Sequence, residues 1–276
     1  MLPPRHVVFS ALEGTLLNVG SRSLAPAADA VEELAARGVP LILCTAYTRA
    51  EIEPLRRKIG HSYPFITESG GGLFIPDGYF SQKLEGAARA GRYFCVPFGR
   101  SQTEAAAAIE EIATEAGADV VLYSQMSVRE IAANTGQPVR EAELSRQRDF
   151  SERFFFAGGT EATVSRFSSI AAERGWQSAS EGAFWELRSG NDVRRAVRYL
   201  MQTYRDALRS RLSSVGVGSR DQDVELLCAV DLPIVLPKRK GESEAVLMAR
   251  LSHPFAAASP GPEGWSEAVL SVLQRH

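Results

Sequence analysis

The stretch Val7-Val8-Phe9-Ser10-Ala11-Leu12-Glu13-Gly14-Thr15-Leu16-Leu17 decides how the chain is read. An apolar run breaks into a small, polar, glycine-bearing turn, which reads as a buried first strand delivering a loop. Ligands bind at the carboxyl ends of strands in open α/β sheets, so residues 10–15 are expected where chemistry would occur. Immediately downstream, residues 27–37 are helical in period and close at Gly38, and Val39 to Cys44 reads as a second buried strand ending at Thr45. A strand, helix, strand order of this length makes a right-handed parallel crossover.

Thr48 can cap a helix over 49–59, and Pro64 to Thr67 is a short third strand. Glu68-Ser69-Gly70-Gly71-Gly72 then leads into Leu73 to Pro76, which reads as a hairpin leaving the core. From about Arg92 the pattern changes. Strands are expected at 93–98, 119–123, 153–157 and on both sides of Gly182, with helices at 103–116, 127–134, 139–147 and 161–174. That order suggests one sheet covered by helices on one face, with Phe154-Phe155-Phe156 in its core. A long amphipathic helix over 192–208 returns to the first pattern, followed by strands at 214–218, 232–236 and 255–257 and helices at 223–229 and 264–274. The expected organisation is therefore a core domain of residues 1–85 and 188–276, with an α+β domain of residues 86–187 inserted between.

The chain has 276 residues, of which 45% are hydrophobic and 23% charged, enough for a sizeable core. A formal net charge of −2 gives no electrostatic case for nucleic acid or an anionic membrane, and Lys238-Arg239-Lys240 reads as a solvated loop. Cys44, Cys95 and Cys228 lie far apart and read as reduced, packed thiols. His6, His61, His253 and His276 lack zinc-ligand spacing. No apolar leader or run of membrane-spanning length is present, so the expectation is a cytoplasmic protein with neither membrane nor nucleic-acid partner.

Together these segments resemble the haloacid dehalogenase (HAD) superfamily. The opening loop is similar to that superfamily's first motif, Asp-x-Asp-Gly-Thr, with Ala11 and Glu13 in place of the aspartates. Along most of its length the chain resembles the mannosyl-3-phosphoglycerate phosphatase branch. Thr45 to Glu51 matches the second motif and its sequel, with Tyr47 replacing a lysine. Glu68 to Pro76 matches Glu-Asn-Gly-Gly-Gly and its apolar continuation. Arg148-Asp149-Phe150-Ser151-Glu152 matches an Arg-Glu-aromatic-x-Glu cap element, and Ser259 to Gly264 matches a Pro-Gly-Pro-Glu-Gly loop. The resemblance implies an α/β fold, a HAD-like Rossmannoid parallel sheet with an inserted cap of the C2B type.

It also implies covalent phosphatase chemistry. One carboxylate attacks phosphorus, a second protonates the leaving oxygen and later activates water, and Mg2+, a lysine and a hydroxyl neutralise the phosphoryl oxygens. Here the nucleophile position is Ala11, the acid/base position Glu13 and the lysine position Val193. The first aspartate of the fourth motif is Ser219, although Asp223 survives and Asp221 is an added carboxylate. Thr45 matches the phosphate-binding hydroxyl. Changes at Glu13, Val193 and Ser219 accompany Ala11, so one introduced substrate-trapping substitution does not account for the pattern. Ser10 is a poor substitute nucleophile, because neighbours in a strand face opposite ways.

The expected roles follow. Glu13 and Thr45 are the remaining catalytic candidates. Asp223, Asp221 and Glu13 are candidate ligands for a weak Mg2+ site. Gly70, Gly71, Arg148, Glu152 and Arg188 are candidate contacts to the substrate. The leading expectation is an impaired phosphatase that binds a phosphorylated sugar or sugar acid, or that serves an active enzyme as a partner of unknown identity. Two alternatives stand beside it: slow hydrolysis by a metal-bound water at a remodelled site, and a structural protein without a small ligand.

Overall fold

The computed structural model describes residues 5–182, 184–238 and 245–274. Among these, strands form at His6–Ala11 (β1), Leu41–Cys44 (β2), Phe65–Thr67 (β3), Gly72–Pro76 (β4), Ala88–Ala90 (β5), Tyr93–Pro97 (β6), Val120–Leu122 (β7), Glu152–Phe156 (β8), Gln177–Glu181 (β9), Phe184–Arg188 (β10), Ser213–Gly218 (β11), Leu232–Val235 (β12) and Phe255–Ala256 (β13). Helices are Ala28–Ala36 (α1), Arg49–Lys58 (α2), Gln102–Ala116 (α3), Val128–Thr135 (α4), Val139–Ser145 (α5), Glu161–Glu173 (α6), Val193–Leu208 (α7), Val224–Leu227 (α8), Ala245–Ala249 (α9) and Gly261–Gln274 (α10).

The larger sheet has the order β13-β12-β11-β1-β2-β3-β4-β6-β5. It is parallel from β13 to β3, and β4, β6 and β5 then add antiparallel strands. This differs from the sequence expectation at one edge. Residues 73–76 do not leave the core, and residues 88–97, expected in the inserted domain, hydrogen-bond into the large sheet. The apolar alternation of Leu73-Phe74-Ile75 and of Tyr93 to Val96 is equally suited to extending a sheet; only long-range pairing decides which sheet it joins.

β1 lies inside the parallel sheet with helices on both faces, which explains its unbroken apolar run. Val8 joins the side packed by α1 and α10, while Val7, Phe9 and Ala11 join the side packed by Ala196, Val197 and Leu200 of α7. Fully burying a side chain such as Phe9 contributes about 1.5–3 kcal/mol. Asp192 caps α7 by accepting from the Arg195 amide at 3.0 Å, which fixes where the helix starts and places Val193 on the face shared with Ala11.

The second sheet, β7-β8-β10-β9, is antiparallel. Phe154 and Phe156 pack on Phe167 of α6, with α3 alongside, as expected of a sheet core. On the other face, α4 and α5 cover Phe155 and Phe184 at one end. Alternation along β10 leaves Glu186 and Arg188 on that same face, beyond the helices, turned toward the large sheet.

One pH effect is built into the core. His61 Nε2 donates to the Leu41 carbonyl at 2.7 Å and Nδ1 accepts from Arg56 Nε at 3.1 Å, so the ring is held neutral. Burial, aided by the Arg56 charge, pushes its pKa down from 6.5 to about 4. The unfolded chain therefore binds this proton first as pH falls, and stability is expected to be lost between about pH 6.5 and 4. Urea midpoints measured across that range check this: His61→Leu should be less stable at pH 7 but show a shallower fall.

Candidate functional site

A cleft of about 780 Å³ opens between the carboxyl ends of the parallel strands and the second sheet. Its floor includes Ala11, Glu13, Thr45, Val193 and Asp223, and its opposite wall includes Gln177, Glu186 and Arg188. The tertiary structure thus brings Ala11, Glu13, Thr45, Val193, Asp223 and Arg188 together, although they span most of the sequence.

Each floor residue has a defined state. Ala11 ends β1 with 4% of its surface exposed. Glu13 Oε1 accepts the Tyr47 hydroxyl, and Arg220 Nη1 lies 3.5 Å from Oε2. Arg22 lies over the Tyr47 ring, 4.7 Å from its centroid, and reaches Glu13 at 3.9 Å and Glu141 of α5 at 3.0 Å. Thr45 Oγ1 accepts the Tyr47 amide at 3.0 Å, which leaves its hydroxyl hydrogen available toward the cleft. Asp223 Oδ2 accepts the amides of Ser219 and Arg220 at 2.8 and 2.9 Å. Burial raises the Asp223 pKa, and those two amides and Arg220 oppose it.

Two other nucleophilic side chains near the ends of β1 and β2 are unsuited to attack a ligand. Ser10 is on the opposite face of β1, where its hydroxyl donates to the Ala11 carbonyl at 2.7 Å and accepts from Trp265 Nε1 at 2.9 Å. Cys44 lines the cleft, but burial, with Asp223 nearby, pushes its thiol well above the usual range, so it stays protonated.

The wall carries positive charge that is not spent internally. Arg195 lies over the Phe98 ring at 5.3 Å and makes no ion pair among the described residues. The Arg188 guanidinium likewise has no hydrogen bond or ion pair at contact distance there, although its charge, after that of Arg148, helps hold the Glu186 carboxyl below the usual range against burial. The neighbouring acids are engaged: Glu186 with Arg148 at 2.6 Å, Glu225 with Arg194 at 2.7 Å, and Asp192 at the start of α7.

Several residues expected at the substrate are placed elsewhere. Arg148 is buried between Glu186 and Glu68, and Glu152 accepts from Gln102 and from the Ser124 amide inside the second sheet's edge. Neither lines the cleft. Gly70 and Gly71 are needed for close packing. Gly70 has φ +90°, and a Cβ on it would lie 2.3 Å from the Val193 nitrogen; one on Gly71 would lie 2.5 Å from Phe150 Cβ. The glycine run thus seats α7 and the linker at 150 against the large sheet.

Glu68 is the joint's anchor. It is wholly buried and accepts the amides of Asp149 and Phe150 at 2.7 and 3.0 Å and the Ser151 hydroxyl at 2.9 Å, with Arg148 at 3.6 Å. Thr48, which caps α2, also donates to the Leu144 carbonyl at 3.0 Å, adding a second tie to the inserted layer.

The expected magnesium ligands are not assembled. Asp221 is two-thirds exposed and pairs with Lys238 at 3.7 Å; Arg239 and Lys240 of that basic run lie outside the described residues. Ser219 Oγ is 3.0 Å from Thr15 Oγ1, and Glu13 is engaged by Tyr47 and Arg220. Among the described residues no three His, Cys, Asp or Glu side chains are grouped as a metal site. Magnesium requires a near-octahedral set of oxygen ligands. With a methyl at Ala11, Asp221 turned to Lys238 and Glu13 engaged by Tyr47 and Arg220, Asp223 is the one expected carboxylate left on the floor, and the residues present do not fit that ion.

Residues that sequence reading passed over include Arg22, Arg195 and Arg220. Arg220 sits inside the recognised fourth motif and was visible as an added charge. Arg22 carried no local signal.

Parallel strands with an antiparallel second layer inserted over their carboxyl ends match a capped HAD fold. The solved structures agree: a haloacid dehalogenase-like hydrolase from Bacteroides thetaiotaomicron superposes with a TM-score of 0.68 at 13% identity, covering 98% of this chain and 100% of that one. The HAD subclass IIB sugar phosphatase BT4131 gives a TM-score of 0.63 at 14% identity, with coverage of 97% and 98%.

Sequence comparison carries the assignment further. The chain is 31% identical over 268 residues to a glucosyl-3-phosphoglycerate/mannosyl-3-phosphoglycerate phosphatase of Persephonella marina, covering 97% of each protein. It is 29% identical over 273 residues to the protein of the same name in Methanococcoides burtonii, covering 99% and 98%. The chain belongs to this phosphatase family. No protein-family model matches it. No helix among the described residues is long and apolar enough to cross a membrane.

Proposed function

We propose that this chain binds a phosphorylated sugar or sugar acid in the cleft without hydrolysing it by the family's covalent route. The compounds named for its relatives, glucosyl-3-phosphoglycerate and mannosyl-3-phosphoglycerate, are the first ligands to examine. One observation carries the reading. The position at the end of β1 carries no carboxylate for attack, since it is Ala11, while Glu13 is held by Tyr47 and Arg220 and Asp223 has its Oδ2 held by two amides. Around it, the Thr45 hydroxyl and the Arg188 and Arg195 guanidiniums remain available to an anion. Arginine matches phosphate and carboxylate oxygens with paired donors. The arrangement can bind and orient such a ligand while lacking the group that would form a covalent bond to phosphorus.

Calorimetric titration with mannosyl-3-phosphoglycerate, alongside a phosphate-release assay in magnesium, tests both halves. Saturable binding with background release is expected. Arg188→Leu should weaken affinity about tenfold or more, because hydrogen bonds to charged groups contribute about 1.5–3 kcal/mol. Robust magnesium-dependent turnover would overturn the loss of catalysis, and absence of binding to either compound would overturn the ligand.

A further inference from the structure

We propose that Arg220 supplies the fixed positive charge of the anion site, so that phosphate capture needs no divalent metal and Glu13 opposes it as a built-in competitor. This rests on the reading that the cleft receives a phosphorylated ligand.

The geometry of the 218–223 loop carries it. Asp223 accepts the amides of both Ser219 and Arg220, which fixes the backbone from which the Arg220 side chain departs. From there Arg220 lines the cleft with Ala11, Thr45 and Asp223 and reaches Glu13 Oε2 at 3.5 Å. A guanidinium has five N–H donors, and a single carboxylate oxygen at that distance leaves most of them for another acceptor. Glu13 is held in place from its other side, because its second oxygen accepts from Tyr47 and faces Arg22 at 3.9 Å.

The charge on the floor is thus compensated within the chain. Arg220 and Arg22 face Glu13, and the Asp223 carboxylate faces two amide dipoles and Arg220. A divalent ion entering beside Arg220 would meet a like charge and compete with it for the Glu13 and Asp223 carboxylates. An anion entering at Arg220 would gain its free donors but meet repulsion from Glu13. Affinity for phosphate is consequently set by the balance between Arg220 and Glu13.

Inorganic phosphate is the probe, titrated calorimetrically into the full-length protein in EDTA and again in excess magnesium. Binding of equal affinity in both is expected. Arg220→Gln should weaken it about tenfold or more, Arg220→Lys should weaken it less, and Glu13→Gln should tighten it several-fold. Thermal melts of each variant separate loss of the site from loss of the fold, and Arg220 is exposed enough that its replacements should fold. Phosphate binding that requires magnesium, no binding by the parent chain in EDTA, unchanged affinity in folded Arg220→Gln, or unchanged or weaker affinity in Glu13→Gln would each overturn the proposal. Turnover of a sugar phosphate would refute the proposed function without touching this one, whereas magnesium dependence of phosphate affinity would refute this one alone.

Discussion

Ala11→Asp alone is expected to leave phosphate release from mannosyl-3-phosphoglycerate within about tenfold of the parent chain, whereas Ala11→Asp/Val193→Lys/Ser219→Asp should raise it by about 10³-fold or more. The reason is electrostatic. Position 11 is only 4% exposed and lines the cleft together with Cys44 and Asp223. A lone carboxylate placed in that setting is desolvated and faces another carboxylate, both of which raise its pKa and blunt it as a nucleophile. A lysine at 193, at the start of α7 on the same face as Ala11, and an aspartate at 219, beside Thr15, would restore the missing charge and a second oxygen ligand. A malachite-green phosphate assay with magnesium reads the result. High activity of the single variant would show that positions 193 and 219 are not limiting. A folded, magnesium-binding triple variant that stays silent would sink the claim that these three positions account for the loss.

Glu68→Ala is expected to destabilise the protein by about 3–5 kcal/mol, because removing one partner from a buried charged cluster strands the others. Burial acts first to raise the Glu68 pKa, and Arg148, the Asp149 and Phe150 amides and the Ser151 hydroxyl act against it. Without the carboxylate, those two amides and that hydroxyl lose their acceptor, and Arg148 loses one of the carboxylates it faces. Since Arg148 also holds Glu186 on the cleft wall, the variant should bind sugar phosphate more weakly as well. Urea denaturation followed by tryptophan fluorescence measures the first effect. A loss below about 1 kcal/mol would mean that the junction does not depend on this residue.

The same two predictions show how legible the site was. Ala11, Glu13, Val193 and Ser219 stand in recognisable local motifs, so the altered positions could be read from residue order alone. Arg148 and Glu152 looked like ligand contacts for the same reason, since they too stand in a motif. Their burial in a junction became visible only when Glu68, Glu186 and Ser124 were brought beside them. A charged residue in a motif has the same appearance whether it faces a ligand or another side chain.

For the fold, sequence determined most of what depends on near neighbours. The helices start and stop close to their expected positions because caps such as Thr48, Ser101 and Asp192 act within three residues. The buried strands show themselves by unbroken apolar runs. What only the tertiary structure decided is which sheet residues 88–97 join, that the glycine run seats α7 and the linker, and that Tyr47 and Arg220 converge on Glu13. These depend on pairing and charge between residues far apart in the chain, where strand periodicity is the same for either sheet and a side chain's partner is not written beside it. The opening strand fixed where a ligand would be met; the folded chain fixed which charges meet it there.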